Sequence, residues 1–364
     1  MATKWKVIVA MSGGVDSSVA AALLAKDFEV VGLHITKREL PGISEEIERR
    51  DADGALSAQA VAKTLGIPLR LVEAGREFDG LVGHFCREYN AGRTPNPCVT
   101  CNVSIKWRLL LETAEAEGAD FVATGHYAKA EKRGATTHLV RGGGGQKDQT
   151  YFLHRLAQNE LMRTVFPLAD RGKPETRAIA RELGLPSGER NESQEICFVG
   201  AGGYREIIEM RTPGEIRGGE VVDARGQVIG RHEGYQFYTI GQRKGLGIAL
   251  GKPAYVVKTD ARTARVTLGG EDDLLCRLFE VRDVNWVVPP APETPFKALV
   301  RIRYSHAGAP ALVTPEGGRA KVEFEAPVRA VTPGQAAVFY REDEVIGGGW
   351  IAGRAGSARA PEFT

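Results

Sequence analysis

Residues 7–24 leave the chain little conformational choice. A β-branched apolar run, Val7-Ile8-Val9, leads into Ala10-Met11-Ser12-Gly13-Gly14-Val15-Asp16-Ser17-Ser18, and an Ala/Leu-rich run follows. That pattern predicts a buried strand, a tight glycine turn and a helix N-terminus. Such a turn offers free backbone N–H groups and the positive end of a helix dipole to an anion. Glycine lets the backbone approach a ligand closely. The hydroxyls of Ser12, Ser17 and Ser18 are read as further donors.

The turn is not a Walker A loop, because no Lys-Ser/Thr follows the glycines. It resembles the pyrophosphate loop (PP-loop) of enzymes that split ATP into AMP and pyrophosphate to adenylate a substrate. The segments that follow alternate in type. Phe28–Ile35 reads as a strand, and Thr36–Gly54 as a polar loop around Pro41-Gly42. Ala55–Leu65 reads as a helix stopped by Gly66, and Pro68–Val72 as a strand. Phe78–Ala91 and Val103–Glu117 read as helices around a constrained Gly92–Asn102 loop with two prolines. Asp120–Ala123 is a short strand ending in Thr124-Gly125-His126-Tyr127. Strands alternating with helices predict an α/β fold with a parallel sheet, whose ligands sit at the carboxyl ends of the strands.

Gly142–Gly145 looks like a phosphate loop, but Asp148 stands where Ser or Thr should follow Lys147, so a linker or a moving substrate loop is expected. Gly200–Gly203 fails as a dinucleotide fingerprint because Arg205 takes the third glycine position. From about residue 204 the segments become short, β-rich and turn-bounded. The expected organisation is a catalytic domain over 1–203, a small β-rich central domain over 204–275 and a C-terminal β-barrel over 276–364. The chain's 364 residues suit two or three domains.

A net charge of +2 gives no global sign of nucleic-acid binding, so a local patch must carry any such role. Arg231, His232, Arg243, Lys244, Arg301 and Arg303 cluster with Tyr235, Phe237, Tyr238 and Tyr304. That mixture suits unstacked RNA bases, or an ordinary solvated barrel face. No apolar run reaches membrane-spanning length and no signal-peptide pattern opens the chain, so a cytoplasmic protein with no membrane partner is expected.

Five cysteines, Cys86, Cys98, Cys101, Cys197 and Cys276, are too few and too odd for a disulfide framework. Cys98-x-x-Cys101 follows two prolines and is open to three readings: a metal site, a redox couple or two inert thiols. Cys197 stands on a separate stretch with Glu192, Ser193 and Glu195. Cys86 and Cys276 lie in apolar settings and read as core. His126, at a strand's carboxyl end, is the one histidine on an expected active-site edge.

Together these pieces resemble the bacterial tRNA-specific 2-thiouridylases. The resemblance runs in order through Met11–Ser18, Gly92-Arg-Thr-Pro-Asn-Pro97, Cys101-Asn102, Thr124–Tyr127 and Asp148-Gln149 ahead of Tyr151-Phe-Leu153. It continues through Ile196-Cys197-Phe198, Tyr238-Thr-Ile-Gly-Gln-Arg-Lys-Gly-Leu246 and Arg303-Tyr304. It implies a PP-loop domain of the adenine nucleotide alpha hydrolase kind, followed by the two β-rich domains. It implies that ATP adenylates the C2 oxygen of a tRNA wobble uridine, after which sulfur attacks C2 and AMP leaves. Ala10, Met11, Ser12, Gly13, Gly14, Val15, Asp16 and Ser17, with Ile35 and Gly125, would frame ATP. Mg²⁺ would neutralise the pyrophosphate, and Asp16 would act in the chemistry. His126, Lys147, Asp148, Gln149, Arg303, Tyr304 and Gln335 match positions implied to meet tRNA, whose target base is flipped out to be reached.

In the better-known family pattern, Asp stands at the position of Cys98. The cysteine at Cys101 is then the implied nucleophile, and that at Cys197 carries a persulfide. The presence of Cys98 raises a second mechanism, in which Cys98, Cys101 and Cys197 ligate a 4Fe–4S cluster and leave one iron open to hydrosulfide. The implied sulfur donor is a cysteine desulfurase, a relay protein or hydrosulfide itself. The competing readings are another PP-loop adenylating enzyme or tRNA thiolase, and a non-enzymatic RNA-binding iron–sulfur protein.

Overall fold

The computed structural model describes residues 4–37, 44–143, 147–188, 196–248 and 253–354. The N-terminal part runs β1 (Lys6–Ala10), α1 (Val15–Leu24), β2 (Glu29–Thr36), α2 (Glu45–Leu65), β3 (Leu69–Glu73) and α3 (Gly75–Asn90). Next come α4 (Pro97–Cys101), a π-helical segment (Asn102–Trp107), α5 (Arg108–Glu117) and β4 (Phe121–Ala123). A hairpin, β5 (Lys129–Arg133) and β6 (Thr136–Val140), precedes α6 (Gln158–Met162), β7 (Thr164–Val165) and α7 (Lys173–Glu182).

The first sheet has strand order β3-β2-β1-β4-β7 and every pairing in it is parallel. Its centre is β1. Val7 and Val9 pack on the face covered by α1, α2 and α7, while Ile8 packs on the opposite face with Leu110 and Ala114 of α5. Alternate residues of one strand therefore bury into two helical layers, as a doubly covered parallel strand requires. Residue 10 is the carboxyl end of β1, and the glycine turn begins there.

Two expectations change here. The polar stretch 36–54 was expected as a loop, but α2 already starts at Glu45. Its acidic first turn, Glu45, Glu46 and Glu48, suits a helix N-terminus. Its charges are a solvated face over buried Ile47, Gly54, Ala58, Val61 and Ala62. Residues 38–43 lie outside the described residues. In the 92–102 segment, Pro97 does not forbid structure; it starts α4. Proline is tolerated at the first helical position, where its missing N–H has no intrahelical partner. Cys98 and Cys101 therefore stand one turn apart on one helix face.

The middle part holds α8 (Gly203–Arg211) and the strands β8 (Gly219–Val222), β9 (Val228–His232), β10 (Tyr255–Asp260) and β11 (Arg265–Gly269), in sheet order β10-β11-β8-β9. The last part holds β12 (Leu275–Trp286), β13 (Phe296–Arg301), β14 (Ala309–Glu316), β15 (Arg319–Arg329), β16 (Ala336–Arg341) and β17 (Glu344–Arg354). These six strands pair antiparallel in the order β12-β15-β14-β13-β16-β17, and β12 pairs back with β17 to close a barrel. Phe279, Val300, Val313, Val322, Phe324 and Phe339 fill its interior. The β5–β6 hairpin joins this sheet by pairing with β17, so one sheet crosses from the first domain to the last. No helix among the described residues is long and apolar enough to cross a membrane.

Candidate active site

The glycine turn is held from behind by α2. Gly13 has φ +78°, and a Cβ there would lie 2.3 Å from the Gly54 carbonyl oxygen, so only glycine fits. Ser57 Oγ donates to the Gly13 carbonyl at 2.8 Å. The Ser12 N–H donates to Ser17 Oγ at 3.2 Å, and the two hydroxyls lie 3.2 Å apart. Ser18 departs from expectation. Its hydroxyl is fully buried and donates to the Gly14 carbonyl at 2.8 Å, so it locks the helix start rather than serving a ligand. Beneath the turn, the His34 ring donates from Nδ1 to the Met11 carbonyl at 2.6 Å, and burial lowers its pKa.

Asp16, in the first turn of α1, gathers the neighbouring strand ends. Lys173 Nζ at the start of α7 lies 2.6 Å from Asp16 Oδ1, and Tyr127 donates its hydroxyl to the same oxygen at 2.7 Å. Lys147 Nζ lies 3.9 Å from Oδ2. Gly125 makes this approach possible, since a Cβ there would fall 2.7 Å from both Asp16 C and Ser17 N. Lys173 was not singled out from sequence. Its one signal was its place beside Pro174 at an α/β helix N-terminus.

Next to the turn lies a cavity of about 280 Å³. Ala10, Met11, Ser12 and Ile35 contribute one wall, and Cys98, Cys101 and Cys197 another. The three expected cysteines thus share one space with the expected nucleotide residues. Cys98 and Cys197 are exposed to it and Cys101 is half-buried. Phe198 anchors the Cys197 turn by packing edge-on against Phe85 at 5.3 Å. Glu192, Ser193 and Glu195 lie outside the described residues. Burial pushes the Cys98 thiol up to about 11, with Cys197 adding to the effect. Burial pushes Cys101 up to about 12, against the opposing pull of Lys106. Lys106 Nζ donates to Asn102 Oδ1 at 2.9 Å, and Asn102 donates to the Phe152 carbonyl at 3.0 Å. Both residues sit on the π-helical segment, a geometry that recurs at functional sites. Lys37 and Lys106, two further lining residues, were not singled out from sequence. Among the described residues, no group of three or more His, Cys, Asp or Glu side chains has the spacing to hold a single metal ion. Cys86 and Cys276 are buried in separate apolar clusters.

The residues expected to meet tRNA fall into two settings. His126 packs beside Trp107 at 5.7 Å and lies 2.8 Å from Thr124 Oγ1, and burial holds its pKa well below the ordinary histidine value. Gln149 exchanges two hydrogen bonds with the backbone of Tyr127, at 2.9 and 3.0 Å. Asp148 takes Arg301 Nη1 at 2.6 Å. Tyr304 lies over Phe152 with ring centroids 4.6 Å apart. Arg303 points to the Arg329 carbonyl at 3.4 Å. Gln335 turns inward: its amide donates to the Thr94 and Pro95 carbonyls at 3.0 and 3.2 Å, tying the loop before the cysteines to the barrel. Three members of the expected basic-aromatic face are buried: His232, whose Nε2 lies 3.1 Å from the Ala264 carbonyl, and two that bridge domains. Tyr235 donates to the Asn90 carbonyl, and Arg301 pairs with Asp148, so these two hold domains together instead of meeting solvent or RNA.

Comparison with known proteins places three family profiles along the chain. The profile described as a tRNA methyl transferase HUP domain matches residues 5–201. A tRNA methyl transferase PRC-barrel domain matches 207–270, and an aminomethyltransferase beta-barrel domain matches 276–351. A protein of Chlorobium phaeovibrioides named tRNA-specific 2-thiouridylase MnmA is 44% identical over 355 residues, covering 95% of this chain and 97% of that protein. One of the same name from Geobacter metallireducens is 47% identical over 356 residues, covering 95% and 96%. A third, from Chlorobaculum tepidum, is 43% identical over 360 residues, covering 97% and 96%.

Proposed function

This chain belongs to the tRNA-specific 2-thiouridylase family, and from that premise we propose how its own residues carry out ATP-dependent 2-thiolation of a tRNA uridine. The observation that carries the reading is the shared cavity, where Ala10–Ser12 and Ile35 face the same space as Cys98, Cys101 and Cys197. ATP seats at the glycine turn, with its phosphates on the Ser12–Gly14 backbone and the α1 N-terminus. Gly125 gives it room beside Asp16. Adenylation of the uridine C2 oxygen converts a poor leaving group into AMP. Attack by sulfur at C2 then forms the thiocarbonyl as AMP departs. Lys147, Asp148, Gln149, Arg303 and Tyr304 line the approach of the tRNA, and His126 and Gln335 flank it. His126 stays neutral there, because burial disfavours its charged form.

Two groups from outside the chain fit the donors present. The Asp16 carboxylate is the hard oxygen donor that Mg²⁺ prefers, and the ion would offset pyrophosphate charge. Three thiols on one cavity, with Lys37 and Lys106 beside them to balance thiolate charge, suit a 4Fe–4S cluster on Cys98, Cys101 and Cys197. Such a cluster would supply an open iron position for sulfur. Without it, Cys197 would carry sulfane sulfur as a persulfide received from a cysteine desulfurase or relay protein. Its outer sulfur bonds C2 as AMP leaves, and Cys101 then attacks Cys197 Sγ, freeing the thiocarbonyl and leaving a Cys101–Cys197 disulfide. Hydrosulfide, already at the sulfide level, would serve as donor only where no persulfide has to form. The test incubates undermodified tRNA with ATP, Mg²⁺ and hydrosulfide, and follows pyrophosphate and 2-thiouridine by mass spectrometry. Absence of ATP-dependent pyrophosphate release defeats the reading. Iron counting after anaerobic purification, with hydrosulfide and a sulfane-sulfur donor tried in parallel, separates the two sulfur routes, since a colourless, iron-free protein active only with the sulfane donor leaves the persulfide.

A further inference from the structure

Lys37, the first residue beyond β2, walls the cysteine cavity on its strand side. It is gripped at two points by one carboxylate. Its backbone N–H donates to Asp51 Oδ2 and its Nζ to Asp51 Oδ1, each at 2.8 Å. Both side chains are largely buried, at 14% and 9% exposure. The ammonium also lies 5.3 Å from the centre of the Phe78 ring. A long, rotamer-rich side chain is thereby fixed before any ligand arrives, so little ordering entropy remains to be lost on binding. Lys37 lines the same cavity as Cys197 and Cys101, and the charges of Asp51, Cys197 and Cys101 all favour its ammonium form. Lys106, which lines the same cavity, bears on Cys98 and Cys101. Cys101 thus feels both lysines, whereas Cys197 is paired with Lys37 alone of the two. A buried ion pair is a weak stabiliser, and an apolar pair of similar volume is often as good. A pair placed against a cysteine is better explained by what it does to that cysteine's ligands.

We propose that Lys37, clamped by Asp51, is a positioning residue that seats an anionic sulfur of the hydrosulfide or persulfide class against Cys197. The proposal rests on the thiolation reading for the identity of the anion, and on the cavity alone for the seat.

The seat is tested on the full-length reduced chain without tRNA or ATP. Cys197 is alkylated with iodoacetate, an anion, and with iodoacetamide, its neutral counterpart, and quantified by peptide mass spectrometry. Both reagents meet the same thiolate, so the ratio of their rates cancels that thiol's own ionisation. The ratio falls about tenfold in Lys37→Met, the order expected from losing one nearby unit charge. It recovers in Lys37→Arg and falls in part in Asp51→Asn. An unchanged ratio in Lys37→Met overturns the proposal, as does an arginine variant no better than methionine. Should Lys37→Met fail to fold, the Asp51→Asn ratio decides: no fall there overturns it equally. In the full reaction, the apparent KM for sodium hydrosulfide rises about tenfold in Lys37→Met and recovers in Lys37→Arg, when thiolation is normalised to pyrophosphate released. A wild-type chain that releases no pyrophosphate defeats the thiolation reading and leaves the alkylation result standing.

Discussion

At Asp16 a single carboxylate takes a lysine from α7 and a phenol from the end of β4, with a second lysine 3.9 Å away. Removing its charge should alter the field of Lys173 and Lys147 where the phosphates and Mg²⁺ are proposed to sit. Asp16→Asn is expected to lower tRNA-dependent pyrophosphate release about 100-fold, the usual scale for one misplaced electrostatic group. A variant within threefold of wild type would count against Asp16. Cys98 is the residue at which the sequence resemblance implies a departure from the better-known family pattern. Mass spectrometry of tRNA modified by Cys98→Ala is expected to show a loss of 2-thiouridine of at least about tenfold, since a positioned nucleophile or ligand contributes on that order or more. Unchanged thiolation would make it an ordinary cavity-wall residue.

Among the elements, the end of β4 comes into close backbone contact with the α1 N-terminus. Gly125→Ala would drive a methyl group into backbone that has no free end to move. The expected cost is about 1–3 kcal/mol by chemical denaturation, with a raised KM for ATP. An alanine variant as stable and as tight for ATP as wild type would show that the approach relaxes. This is also the scale at which sequence reading succeeded and failed. β1, the glycine turn and α1 were legible because a buried parallel strand is continuously apolar and its turn needs glycine. The Thr36–Gly54 stretch hid the start of α2 because only its sparse apolar residues carry the helical period. Pro97 hid α4 because proline breaks a helix interior yet begins a helix well. Within the barrel, β14 is hard to read from sequence, since Pro310 and Pro315 near its ends mimic a loop. The cysteines could be chosen from motif order, but Lys37, Lys106 and Lys173 could not. Their importance comes only from which elements the sheet order brings side by side.

At the scale of the molecule, the first domain and the barrel are bolted by Arg301 and Asp148, whose side chains are 10% and 16% exposed. Removing Arg301 leaves Asp148 with only the longer Arg141 contact, at 3.4 Å, to balance its largely buried charge. Arg301→Met is expected to cost about 3–5 kcal/mol, while changing both partners to apolar residues should cost less, as a double-mutant cycle in urea would measure. Acid sensitivity is a second whole-molecule property. Burial lowers the pKa of His34, His84, His126, His154, His232 and His306. Each is held neutral in the fold, so below pH 6.5 the unfolded chain binds more protons and stability falls as pH drops. For fully buried His154, brought down to about 3, the loss runs from about 6.5 down towards 3. His154→Gln should therefore flatten the urea-stability slope between pH 6.5 and 5 by up to about 1.4 kcal/mol per unit. An unaltered slope would place the acid sensitivity elsewhere.

The β5–β6 hairpin has one more implication, in time rather than space. It leaves the ribosome with the first domain, yet its sheet partner β17 is nearly the last strand made, and His138 meets Glu344 across 206 residues of chain. Until then β6 is an unpaired edge, the kind of surface that recruits other strands. A nascent or truncated chain ending before β17 is therefore exposed to misassembly at this edge, and release of the complete chain is what closes it.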